Sequence, residues 1–180
     1  GILLLEVNFM PMNVKNKSAD TFWRLTLTKH IDKTTVKDIV EICGISRQTF
    51  YYHFQDILDV VEWTANREIQ TMIVQSLKAK TPEESVRQAV SFFFSHKLIW
   101  NKLLTSKSRE HFEKMAMNAL HKYVAQMIKY KRPDLVMDAE FEIGLHFLTY
   151  GLGGLFLEYA NREDVTEEQF TKQICRLLSK

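Results

Sequence analysis

Chain breakers are scarce in this sequence. Six glycines and three prolines among 180 residues leave too few turn positions for a many-stranded sheet and favour long helices joined by short loops. Cysteine is nearly absent: Cys43 and Cys175 lie far apart and match no metal knuckle or disulfide framework, so a reducing, cytoplasmic setting is expected. Long apolar runs are missing at the start, where Ile2-Leu3-Leu4-Leu5 is too short for a signal-peptide core or a bilayer span. Catalytic motifs are missing as well. There is no Gly-rich phosphate loop, no H-E-x-x-H and no G-x-S-x-G, and Ser95-His96 and Glu110-His111 are chain neighbours that point to different helix faces. No enzyme, no cofactor and no metal-ligand set is therefore expected.

What is present fits a folded protein of one or two domains, with 46% hydrophobic and 26% charged residues. The formal charge of +2 is too small to argue for nucleic acid by itself, but it conceals a strong asymmetry. Residues 15–54 hold seven basic and four acidic side chains, residues 107–132 seven and two, and the stretch after Pro133 four and nine. Two basic segments thus precede an acidic end, and either could face an anion or simply form a solvated helix face.

Apolar periodicity predicts a chain made of about nine helices. Ala19, Phe22, Leu25 and Ile31 share one face of a first helix over residues 18–31, with Ser18 or Asp20 as its cap. Thr35 and Asp38 have capping-box spacing before Val36, Ile39, Val40 and Cys43, and Gly44 can close that helix in the left-handed conformation. Ser46 caps a third helix from Arg47 to His53, and Asp56 a longer one toward Leu77. Thr81-Pro82-Glu83-Glu84 combines three start signals for a helix reaching Leu104 with a break on the way. Further helices run from about Phe112 to Pro133, from Pro133 to about Ala160, and after Thr166, where Gln169 completes a capping box beside a Val165–Phe170 staple.

Two short helices joined by a glycine turn can place the second helix in the DNA major groove. Phe50 and Phe54, four apart, would anchor that helix inward. Arg47, Gln48 and Tyr51 would then face base edges: Arg offers two donors to guanine, Gln pairs with adenine, and a Tyr ring packs on a thymine methyl. Lys37, Thr49, Tyr52 and His53 are the candidate phosphate contacts, together with free N–H groups at the start of the helix after Thr35. The competing reading of the same residues is an ordinary helical hairpin whose tyrosines and histidine serve as core or cap.

The run Thr35-Val36-Lys37-Asp38-Ile39-Val40, followed by Gly44-Ile45-Ser46-Arg47-Gln48-Thr49-Phe50-Tyr51-Tyr52-His53-Phe54, resembles the DNA-binding signature of the TetR family of bacterial transcriptional regulators. It also resembles the subset typified by the dihydroxyacetone kinase operon regulator. The likeness covers residues 18–63, and by it Arg47, Gln48, Tyr51 and Tyr52 correspond to base-facing positions and Thr35, Lys37, Thr49 and His53 to backbone-facing, phosphate-contacting ones. It implies an all-α fold in which residues 1–14 are a disordered or non-native arm, residues 15–63 a helix-turn-helix DNA-binding domain, and residues 64–180 a helical dimerisation and effector-sensing domain. It further implies a homodimer on a palindromic double-stranded operator, modulated by a small-molecule effector or a co-regulator protein, with repression the usual outcome and activation possible. Val40 stands where many members have Ala, His30 where a Gly often ends the first helix, and Gln55 and Ile57 where Lys is frequent. Every phosphate that is left without a cationic partner in this way should flatten the salt dependence of binding by roughly one unit of slope. The alternative function is a helical protein-interaction module that has lost specific DNA binding.

In the second domain, residues 143–160 are apolar nearly all round, which requires burial on more than one side. A membrane span is disfavoured by His146, Thr149, Glu158 and the Gly153-Gly154 pair, so no membrane partner is expected. The candidate dimer interface is Phe147, Gly151, Gly154 and Leu155, the glycines allowing a second backbone to come close. The candidate effector pocket is Phe93, His96, Trp100, His146 and Tyr150, an apolar set with two imidazoles; plain core packing is the alternative for each.

Overall fold

The computed structural model describes residues 3–159 and 162–179, with side chains from residue 14 onward. Among these residues the fold is all-α, as expected, with nine helices, one 3₁₀ turn and no strand. It divides into two compact units, Gly1–Arg67 and Glu68–Lys180, a boundary four residues beyond the expected one at Trp63.

The first unit is built on α1 (Leu3–Thr28), α2 (Val36–Cys43) and α3 (Arg47–His53), which pack on one another, and it ends within α4 (Ile57–Leu77). Helix α1 starts at Leu3, so residues 3–14 belong to it and not to the expected arm; residues 1 and 2 lie outside the described residues. Ser18 and Asp20 lie in the interior of α1, far from its first turn, so neither acts as the cap expected of them. The helix stops at Thr28 because His30 adopts extended backbone, and its Nδ1 accepts the Asp32 N–H at 3.3 Å to start the 3₁₀ turn Ile31–Lys33. Phe22, Ile39, Phe50, Val60 and Val61 are wholly buried. Burying such a side chain is worth about 1.5–3 kcal/mol, so these few residues dominate the stability of so small a unit. Arg67 Nη1 donates to Asn16 Oδ1 at 2.8 Å and its guanidinium lies over Trp63, tying the middle of α4 to α1.

The second unit contains the end of α4, then α5 (Pro82–Ser95), α6 (Lys97–Leu104), α7 (Arg109–Lys131), α8 (Ala139–Tyr159) and α9 (Glu167–Leu178). The break anticipated between Pro82 and Leu104 falls at His96, whose ring Nδ1 sits 2.7 Å from the Phe92 carbonyl. Helix α9 opens with the Thr166–Gln169 capping box, and Val165 and Phe170 share a cluster with Val90 and Ile174, as the staple requires. Helices α5 and α9 pack through this cluster, and α7 packs on α6 and α8. Tyr123 on α7 donates toward Ser76 Oγ at 3.1 Å and Ser85 O at 3.2 Å, so its buried hydroxyl links three helices. Burial raises its pKa and keeps that donor protonated. No helix of the described residues is long and apolar enough to cross a membrane.

Candidate nucleic-acid interface

The turn between α2 and α3 is specified residue by residue. The Thr35 hydroxyl accepts the Asp38 N–H at 3.2 Å, while Asp38 Oδ2 accepts the Thr35 N–H and hydroxyl, each at 2.8 Å. Lys29 Nζ donates to the same carboxylate oxygen at 2.7 Å. These donors, Lys29 first, pull the Asp38 pKa down to about 2, so the box is ionised at any physiological pH. At the other end of α2, Gly44 has φ 64° and ψ 35°, and Ile45 N–H closes back on Val40 O at 3.1 Å. This is the left-handed termination that glycine permits without strain. Lys17 Nζ donates to the Cys43 carbonyl at 2.8 Å, satisfying another acceptor at this end. Ser46 Oγ then accepts the Thr49 N–H at 2.9 Å and starts α3.

Helix α3 is divided sharply by burial. Phe50 is 0% and Phe54 2% exposed; their rings are 5.6 Å apart, Phe54 lies edge-on to Trp63 at 6.1 Å, and Lys15 Nζ sits 5.4 Å from the Phe54 ring. Gln48 is exposed on the other side, with Tyr51 at 55% and Tyr52 at 81%, and Arg47 is exposed as the first residue of the helix. All four expected base-facing residues therefore stand outward. Large aromatics with this exposure, beside an Arg that has no ion-pair partner among the described residues, make a surface that still has hydrogen bonds and stacking to offer.

The expected phosphate contacts are less available. Thr35 is exposed, yet its N–H and hydroxyl are both spent on Asp38. Thr49 is half-buried with its hydroxyl 2.8 Å from Ser46 Oγ. Lys37 is exposed and stands 3.7 Å from Glu41, a solvent-screened pair of little energetic weight. His53 is half-buried, and burial followed by the charge of Lys15 lowers its pKa, so it presents a neutral imidazole near pH 7. The start of α2 is thus less open to an anion than its sequence suggested, because the capping box places an ionised carboxylate there.

In the second unit, an apolar cavity of about 90 Å³ is lined by Met72, Phe93, Trp100, Met117, Tyr123 and Phe156, among others. Phe93 and Trp100 were expected in a pocket and line this one. His96, His146 and Tyr150 do not. His96 is held at the α5–α6 junction, and His146 and Tyr150 are turned outward because α8 buries Leu145, Thr149 and Gly153, the i, i+4, i+8 positions of another face. The outward side of α8 carries Ile143, Phe147, Tyr150, Gly151 and Gly154, with Phe147 84% exposed. Of the expected dimer residues, Leu155 departs from this stripe: it is half-buried against Val90, Phe170 and Ile174, committed to its own subunit by its place on the helix. Sequence spacing missed one constellation, His121 on α7 with Glu142 and His146 on α8; the i, i+4 pair was readable, but the third member arrives from another helix.

Comparison with known proteins agrees with this architecture. A family model described as "Bacterial regulatory proteins, tetR family" matches residues 23–62, and one described as "Transcriptional regulator C-terminal region" matches residues 80–180. No curated protein sequence matches the chain. Among solved structures, one described as "Dihydroxyacetone kinase operon activator DhaS" superposes with a TM-score of 0.72 over 92% of this chain and 94% of that one, at 17% identity, a likeness of fold. With a tetR-type head, a regulator-type C-terminal region over more than half its length and the exposed α3 surface, the chain belongs to the TetR family of DNA-binding transcriptional regulators.

Proposed function

We propose that the chain works as a homodimer that reads a two-fold symmetric operator with α3 of each subunit in the major groove, half-sites lying one helical turn or a multiple apart, ~34 Å per turn. The observation that carries this reading is the division of α3 into a buried Phe50–Phe54 side and an outward side of Arg47, Gln48, Tyr51 and Tyr52. Arg47 and Gln48 supply bidentate donors and acceptors, and the two tyrosines supply apolar contact and hydroxyls. Phosphates are met chiefly by exposed lysines and arginines, Lys37 among them. Thr35, Thr49 and His53 contribute as neutral groups positioned by the caps, so affinity leans on base contacts more than on charge.

Pairing of subunits is assigned to the outward stripe of α8, where Ile143, Phe147 and Tyr150 are exposed apolar or aromatic groups. An added Cβ at Gly144, Gly151 or Gly154 would meet no atom within 4 Å of its own chain, which leaves these positions open to a second backbone. Leu155 supports the stripe from behind. Modulation is assigned to the cavity at Phe93 and Trp100. At about 90 Å³ it is smaller than a ~150 Å³ cavity that takes up benzene, so an effector would have to displace its flexible lining, Met72 and Met117.

The test is a mobility-shift titration on the DNA upstream of the chain's own gene, against an unrelated duplex. Arg47→Ala and Tyr51→Ala should each weaken binding to the specific site by about 1–3 kcal/mol, on the order of tenfold to a hundredfold, and leave the unrelated duplex almost unchanged. Equal, weak binding of wild type and both variants to every sequence would reject groove reading and favour the protein-interaction module.

A further inference from the structure

We infer that His121, Glu142 and His146 form a binding site for a divalent transition-metal ion, zinc in the first instance, that links α7 to α8 in the second unit. One ligand atom from each residue lies within 4.8 Å of the others. The imidazoles of His121 and His146 lie near-parallel, 29° apart, with ring centroids 4.6 Å apart, and His121 Nε2 stands 3.9 Å from Glu142 Oε2. That last separation is too long for a hydrogen bond. Two ligands of a tetrahedral zinc ion, each about 2.0–2.2 Å from it, stand about 3.3 Å apart, so the set, whose ligand atoms lie within 4.8 Å of one another, needs to close by up to about 1.5 Å.

A second observation points the same way. His121 Nδ1 is buried and has no hydrogen-bond partner among the described residues. A buried imidazole nitrogen without a partner is a cost that native structures rarely leave standing. With the Nδ1 and Nε2 atoms both lacking a hydrogen bond, nothing commits the ring to one tautomer, and a metal on Nε2, the nitrogen that faces Glu142, would take up one of the two free nitrogens. Two neutral imidazoles and one carboxylate also have the right charge for a dication. The carboxylate offsets half of it, whereas a pair of protonated imidazoles at 4.6 Å would repel.

The ligand types choose among metals. Imidazole nitrogens favour zinc, nickel, cobalt and copper, whereas magnesium and calcium demand more oxygen ligands than this set provides. Glu142 and His146 are four apart on α8 and so share one face, and His121 comes across the α7–α8 contact. Three protein ligands leave a fourth position for water or an exogenous donor. The site is flanked on α8 by Ile143 and Phe147, so an occupied site braces the stripe assigned above to subunit pairing. The proposal itself needs only the α7–α8 contact and stands apart from DNA binding.

The experiment uses the full chain without an affinity tag, stripped of metal with a chelator and titrated with zinc chloride alone by calorimetry, with no DNA present. One zinc per chain is expected, with a thermal-stability gain on binding and no competition from excess magnesium. His146→Ala removes an exposed ligand and leaves the fold intact by circular dichroism; it should weaken zinc binding at least tenfold, as should His121→Ala and Glu142→Gln, while His111→Ala elsewhere on α7 should not. Cobalt in place of zinc should give visible absorption bands of nitrogen–oxygen coordination that vanish in His146→Ala. Unchanged zinc affinity in His146→Ala, absence of a zinc heat, or equal binding of magnesium would each overturn the site. Because the titration contains no DNA, failure here leaves the operator reading untouched, and failure of that reading leaves the zinc result standing.

Discussion

Gly44 is the position where backbone conformation alone can be perturbed. It is the one residue with positive φ among those described, and a Cβ built there meets nothing within 4 Å. A substitution therefore adds left-handed strain without a clash. That strain is about 1–2 kcal/mol for an ordinary L-residue, less for Asn, and more for a β-branched residue. The loss of unfolded-chain entropy on replacing glycine offsets about 0.4–1 kcal/mol of it. Gly44→Ala should accordingly cost about 1 kcal/mol, Gly44→Asn less and Gly44→Val about 2 kcal/mol or more. Hydrogen exchange read on peptides spanning α2 and α3 separates this unit from the other. Protection there should fall about fivefold for Ala and about thirtyfold for Val, with peptides of α7 and α8 unchanged. Specific DNA affinity should drop less than about twofold for Ala, because the head stays mostly folded and Phe50 and Phe54 still seat α3. A loss in Gly44→Ala above about 4 kcal/mol would mean a steric contact at this turn, and no loss at all would mean the left-handed conformation is not what closes α2.

Asp38→Asn should remove the ionised part of the capping box. A carboxylate held near 2 in the fold, against about 4 when unfolded, stabilises the head above pH 4 and loses that stabilisation as pH falls through 2. The full linkage of about 2.4 kcal/mol is reduced to about 1 kcal/mol by the solvent that reaches Lys29 and Asp38; urea titrations should find that gap between wild type and variant at pH 7 and only about a sixth of it at pH 2, and a gap undiminished at pH 2 refutes the assignment. Phe147→Glu places a charge on the exposed α8 stripe and should give folded monomers in sedimentation, whereas a dimer of undiminished strength excludes that stripe as the interface. In Gly153→Ala the new Cβ runs into the Met117 sulfur. The thioether should swing into the cavity, offsetting a helix-propensity gain of about 1 kcal/mol, so that stability stays within about 1 kcal/mol of wild type while xenon uptake seen by NMR falls; unchanged uptake, or a cost above about 3 kcal/mol, shows that Met117 did not yield.

Local signals in the sequence decided the helices and the α2–α3 turn, because caps, glycine and period-3.6 apolar spacing act within a few residues of one another. Thr35, Asp38, Gly44, Ser46 and the inward Phe50–Phe54 pair all do in the fold what their spacing announced. Most of the outward face of α3 followed from them, since a helix with two phenylalanines on one side turns Gln48, Tyr51 and Tyr52 away from it, whereas Arg47, three residues before Phe50, is exposed as the first residue of the helix. Only tertiary packing could decide rotation and partnership. On α8 the apolar residues run all round, so periodicity could not tell Leu155, turned to its own core, from Phe147, turned to solvent. His146 and Tyr150 left the expected pocket for the same reason. Lys29 reaching Asp38 across the connection between α1 and α2, Lys15 lying over Phe54, and His121 meeting Glu142 and His146 are contacts between different elements of the chain. Sequence spacing along one helix holds no record of which neighbour will face it, and that is settled only when the helices close on a shared core.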